Sequence, residues 1–263
     1  MHYRDTGSGP CILLIHGLFV DNRVFDRLVR LLAPSARCVM PDLPLGAHRT
    51  PMNGNADLSP PGLARLIAEL IQELRLREVT VLGNDTGGAL CQILCANHHE
   101  LVDRLVLTNC DAFERFPPAA FQALYRAGSR IPGSIAAVDL ILRVRMLRRA
   151  ALAAVPVTMR PLPDTLLASW FEPLHDPRIR ADVRAVLQGV SPEHTLSAAE
   201  RLKTFDRPVL IVWGTRDRFF PVSDARRLVG TLPHARLETV DDARTYVQID
   251  QPERLAELIK SWP

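Results

Sequence analysis

Residues 79–85 read VTVLGND and run straight into Thr86-Gly87-Gly88. A short apolar run ending in Gly-x-Asp-x-Gly-Gly has the makings of a sharp strand-to-helix bend, because only small neighbours tolerate so tight a turn. The central side chain, Asp85, then projects beyond the end of its strand. The amides that open the next helix face any negative charge developing there. A carboxylate in such a place can attack carbon or move a proton. An aspartate that merely caps a helix is the plainer alternative, but it would not require the preceding strand and both flanking glycines.

The bend needs a sheet to hold it. Short continuous apolar runs recur at 11–15, 38–40, 79–82, 105–108 and 209–212, and 236–240 alternates. Continuous apolar runs are what parallel strands covered on both faces look like. Helical patterns fall between them, at 24–32, 63–74, 88–97, 224–232 and 252–261. Strand followed by helix, repeated, predicts a doubly wound α/β domain. Residues 112–203 break the rhythm with helical pattern and many prolines, and predict a helical insertion. Ligands of such sheets bind beyond the carboxyl ends of the strands, so this insertion would roof the site. The expected division is 1–111 with 204–263 as the α/β core and 112–203 as a helical cap.

Other segments carry a resemblance. His16-Gly17 follows the first apolar run, and residues 41–46 read PDLPLG after the second. Residues 210–217 read LIVWGTRD, and Asp250-Gln251-Pro252-Glu253 opens the last helical pattern. In this order, with the Asp85 bend, they resemble the α/β-hydrolase superfamily over essentially the whole chain. Near the bend the chain resembles the haloalkane dehalogenase and epoxide hydrolase branch, whose nucleophile is aspartate. The resemblance implies the α/β-hydrolase fold, Asp85 as nucleophile or general base, and Asp217 as the acid. It implies an oxyanion hole made by the Leu18 and Thr86 amides, and no cofactor.

The same resemblance exposes a substitution. Alignment through Asp250-Gln251-Pro252-Glu253 puts Thr245 where the family carries its catalytic histidine, and Arg244 replaces a small residue. In the aspartate branch a histidine-activated water hydrolyses the alkyl ester on the nucleophile. A threonine hydroxyl does not deprotonate near neutral pH, so without another base turnover would stall. His48, just after the 38–40 strand, is the best substitute, with His175 and His194 in the insertion as remoter options. Asp111, after the 105–108 strand, is an alternative acid. Clustered carboxyls raise one another's pKa, which would poise Asp85 as an acid or base near neutral pH.

Two departures weigh on substrate. Dehalogenases usually follow the nucleophile with a halide-holding tryptophan, where this chain has Thr86, and place asparagine where it has Leu18. Epoxide hydrolases use cap tyrosines, and the insertion holds only Tyr125. His16, Phe19, Phe113, Trp170, Phe219 and Arg244 are expected around a small, largely apolar substrate. A non-hydrolytic lyase, isomerase or cyclase, or a ligand-binding homologue without catalysis, would use the same pocket.

Bulk properties narrow the partners. A net charge of +3 over 263 residues is small for a nucleic-acid or membrane partner, so neither is expected. A monomer or homodimer is. Five cysteines, odd in number and lying in apolar runs, predict reduced buried thiols in a cytoplasmic protein. The sequence offers no metal-ligand cluster. Arg143, Arg145, Arg148 and Arg149 make the insertion locally basic. They read as a solvated helix face, with attraction of an acidic substrate as the alternative.

Overall fold

The computed structural model describes residues 1–262. Seven strands form one sheet: β1 (Tyr3–Thr6), β2 (Cys11–Ile15), β3 (Arg37–Pro41), β4 (Thr80–Asp85), β5 (Arg104–Cys110), β6 (Val209–Gly214) and β7 (Ala235–Val240). Their order is β1-β3-β2-β4-β5-β6-β7. All neighbours are parallel except β1, which lies antiparallel to β3. The six strands expected from apolar pattern are all present.

β1 was not expected. It is short, polar and largely exposed, and only its ladder to β3 reveals it.

Successive side chains of a strand point to opposite faces, and here both faces are covered. Leu13 and Ile15 enter one apolar core, whereas Ile12 and Leu14 enter the other. Leu105 and Leu107 divide from Val106 in the same way. Burying each such side chain stabilises the fold by roughly 1.5–3 kcal/mol, which explains the uninterrupted apolar runs. The helix Pro60–Glu73 starts cleanly because the Ser59 hydroxyl accepts from the Gly62 amide and Pro60 takes the first turn, where no donor is needed. The helix Thr86–Asn97 is buried along almost its whole length.

Between β5 and β6 the described residues form helices and no named strand. The helices Gln122–Arg130, Ser134–Arg143, Arg145–Ala153 and Asp164–Phe171 contribute walls to the cavity above Asp85. Pro177–Gly189 packs on Gln122–Arg130, and Pro192–Leu202 lies on Thr86–Asn97, beside the sheet.

Candidate active site

Asp85 ends β4 with φ 55° and ψ −132°. Positive φ in a residue other than glycine costs of order 1–3 kcal/mol and survives only where the surroundings enforce it. They do so by close approach. A Cβ on Gly17 would overlap the Asp85 carboxyl, and one on Gly87 would overlap the Ile15 carbonyl. The loop after β2 is thus pressed against the bend, leaving room for backbone alone.

Asp85 opens onto a cavity of about 360 Å³. Leu18, Phe19, Trp170, Phe219 and Thr245, all expected near the substrate, line it. So do two phenols, Tyr125 and Tyr246. Among the described residues no acceptor engages the Leu18 amide, and the Thr86 amide lies against the Asp85 carboxyl. Most of the wall is aliphatic or aromatic, so a bound molecule would be held chiefly by apolar burial.

Three carboxyls gather here. Burial pushes Asp85 up to about 7, the Thr86 amide offsets part of the rise, and the charge of Asp217 adds to it. Asp111 is fully buried beside the bend. Burial and then Asp85 hold its carboxyl well above the usual range, against one hydrogen bond from the Thr86 hydroxyl at 3.2 Å. Its other oxygen has no hydrogen-bond partner among the described residues. Asp217 is raised by burial too, but better satisfied. Its Oδ1 accepts from the Phe219 amide at 2.7 Å and the Phe220 amide at 3.2 Å, and its Oδ2 from Asn109 at 2.8 Å. Neither acid forms an ion pair with Arg244 or with an arginine of the insertion.

A lattice of buried amides holds this arrangement and was missed in the sequence. Asn84 donates to the Asn109 carbonyl at 3.1 Å and to the Thr245 carbonyl at 2.7 Å, and accepts from Gln248 at 2.8 Å. Asn109 accepts from the Gly214 amide at 2.7 Å and donates to the Gly214 carbonyl at 3.1 Å. Four separate segments are so tied at the carboxyl ends of β4, β5 and β6. The available signal was polar: amide residues directly at the ends of apolar strands. Thr245 itself is buried, and its hydroxyl, close to Asp217, makes no well-aligned hydrogen bond.

Several expectations need correction. His48 does not reach the cavity. Its Nδ1 accepts from the Gly46 amide at 3.2 Å, and its Nε2 faces Asp182 at 3.1 Å on the helix Pro177–Gly189. Both nitrogens are occupied, and burial holds the ring below its usual pKa. His48 therefore fastens the loop after β3 to the insertion. His16 is also engaged: Nε2 accepts from the Leu43 amide at 2.9 Å, so Nδ1 is left to donate to the Gly17 carbonyl at 2.8 Å. Arg244 turns away, donating to the Thr158 carbonyl at 2.9 Å. Phe113 lies under the Arg227 guanidinium, 3.8 Å from its ring centre, and lines no part of the cavity. His175 faces Asp139 at 3.4 Å, and His194 bonds the Gly189 carbonyl at 3.1 Å. No imidazole lines the cavity among the described residues, and no group of three or more His, Cys, Asp or Glu side chains among them is placed to hold a metal ion.

The chain resembles known proteins in sequence and in fold. A haloalkane dehalogenase of Mycobacterium tuberculosis is 28% identical over 272 residues, which cover 98% of this chain and 90% of the relative. An uncharacterized protein of the same organism is 27% identical over 278 residues, covering 98% of this chain and 76% of that one. Among solved structures, an α/β-hydrolase-fold protein from Burkholderia ambifaria superposes with a TM-score of 0.79 at 24% identity, covering 98% of this chain and 92% of the other. A meta-cleavage product hydrolase from Pseudomonas fluorescens gives 0.78 at 22%, covering 98% and 91%. Both structural likenesses speak to the fold. The model of the α/β-hydrolase fold family matches residues 10–252, and the chain belongs to that family.

Proposed function

We propose that this protein is an enzyme acting on a small, largely apolar organic molecule, with Asp85 as a general acid–base group in a non-hydrolytic proton transfer such as isomerisation, elimination or cyclisation. One observation carries the reading: a cavity-facing carboxyl raised to about 7, with no imidazole on the cavity wall among the described residues. A group with a pKa near the working pH is populated in both protonation states, which suits it to take a proton and return it. The ionised carboxyl would remove a proton next to a substrate carbonyl. The electron pair would move onto the carbonyl oxygen, facing the Leu18 amide and the Thr86 amide, which Asp85 would hold less tightly once it carries the proton. Asp85 would then return the proton at another carbon. Each such amide typically stabilises the developing charge by a few kcal/mol. Burial and the charge of Asp217 would keep the Asp85 pKa near neutral pH, and Tyr125 and Tyr246 add hydroxyl donors on the walls.

Hydrolysis through a covalent ester is the second reading, favoured by the positive-φ bend at Asp85 and by the relative named as a haloalkane dehalogenase. Asp85 would displace the leaving group from carbon, and a water would have to open the ester. Thr245 supplies no base for that step.

One experiment separates the two. The protein is incubated with a small apolar ketone in heavy water, and with a terminal epoxide in ordinary water. Proton transfer is expected to give deuterium incorporation that Asp85→Asn abolishes, and no mass increase with the epoxide. Exchange that persists in Asp85→Asn would refute it. A stable epoxide adduct on Asp85, released only after Thr245→His, would establish the hydrolytic reading instead.

A further inference from the structure

The junction of the helices Ser134–Arg143 and Arg145–Ala153 presents Leu140, Ile141, Val144, Met146 and Leu147 to solvent, with Met146 78% and Leu140 61% exposed. Contiguous exposed apolar side chains of this kind mark an interaction surface. The surrounding charge is layered. Arg143, Arg145 and Arg149 stand outward, whereas their carboxylate partners lie beneath them. Asp139 is 3% exposed and faces Arg143, Arg180 and His175. Asp164 alone faces Arg145, Arg148 and Arg149. Cations outnumber acids, and the most exposed members are Arg143, Arg145 and Arg149, whereas Arg148 is buried with the acids. The next carboxylate on this side, Glu172, is bonded to Arg49. The apolar face also continues into the cavity wall, since Ile141 and Leu124 are both exposed and cavity-lining.

We propose that this helical junction docks on an anionic lipid bilayer. Its apolar side chains would enter the headgroup boundary while the arginines meet lipid phosphates. Apolar burial and basic charge together are the two signals that stable peripheral binding requires. No helix among the described residues is long and apolar enough to cross a membrane, so the contact would be a surface one. A second copy of the chain fits this face less well, because self-pairing would set arginine against arginine. The whole-chain charge of +3 conceals the feature, which is local.

Vesicle cosedimentation tests this without any turnover measurement, so its outcome is independent of the chemistry proposed for Asp85. The parent is expected to bind phosphatidylglycerol vesicles, roughly tenfold or more weakly to phosphatidylcholine, and less at high salt. Leu140→Asp with Met146→Asp should abolish binding. Neither residue lines the cavity, and unchanged thermal melting would show that the variant is folded. Arg145→Gln with Arg149→Gln should weaken binding by about fivefold per arginine, with Arg148 left to satisfy Asp164. Failure of the parent to bind anionic vesicles, equal binding to neutral ones, or variants that bind like the parent would each overturn the proposal. So would sedimentation velocity showing a parent dimer that Met146→Asp splits, which would assign the face to a second copy.

Discussion

Replacing Asp85 by asparagine should stabilise the protein, and more so as pH rises. Lifting a carboxyl from 3.8 to about 7 sets an upper bound of roughly 4 kcal/mol on the cost of ionising it in the fold. Asp85 is only half-buried and opens onto the cavity, so screening there reduces the expected effect to about 2 kcal/mol. The sign follows from proton linkage. Between the two pKa values the folded state holds the proton more often than the unfolded chain does. Stability from this group is therefore complete below pH 3.8 and lost progressively until pH exceeds about 7. Asparagine carries no such penalty. Urea unfolding of both proteins at a series of pH values is the assay. The advantage of Asp85→Asn is expected to be small at the acid end and to reach about 2 kcal/mol at mildly alkaline pH, or several degrees in Tm. A constant difference across the series, or a parent that gains on the variant with rising pH, would refute the reasoning, because Asp85 would then ionise in the fold as freely as in water.

Asn109→Ala leaves the buried Gly214 amide and carbonyl without their partner and Asp217 without one donor, so a loss of about 3 kcal/mol is expected in denaturant unfolding. Gly17→Ala has no room beside Asp85; the expected result is loss of Asp85-dependent exchange with secondary structure retained by circular dichroism. His48→Ala should cost about 1–3 kcal/mol and leave that exchange intact under conditions short of the unfolding transition. Lost exchange at full stability would return His48 to the chemistry.

Much of this was legible in the sequence. β2, β4, β5 and β6 each carry a run of buried, mostly apolar residues because both faces of the central sheet are covered, and the bend at Asp85 announces itself through glycines that nothing larger could replace. β1 escaped because an exposed antiparallel edge strand needs no apolar pattern. The site was legible in part, for a physical reason. Sequence order places a residue at the correct end of the sheet but does not fix the direction of its side chain. His48 follows β3 at that end, yet its ring turns toward Asp182, far along the chain. Arg244 and Phe113 likewise sit beside the site in the chain and point elsewhere, whereas Tyr246, the neighbour of Thr245, faces the cavity. The amide lattice joins positions far apart in sequence, and no local pattern marks such partners.

The hold on residue 245 has a wider consequence. Asn84 grips its carbonyl and leaves the side chain unattached, so the main chain there is anchored whatever group it carries. Exchange of the reactive group and upkeep of the scaffold are thereby separate matters. A lineage could change the side chain carried at this point by one substitution and without rebuilding the strand ends. Such a fold can change its chemistry in single steps while remaining folded throughout.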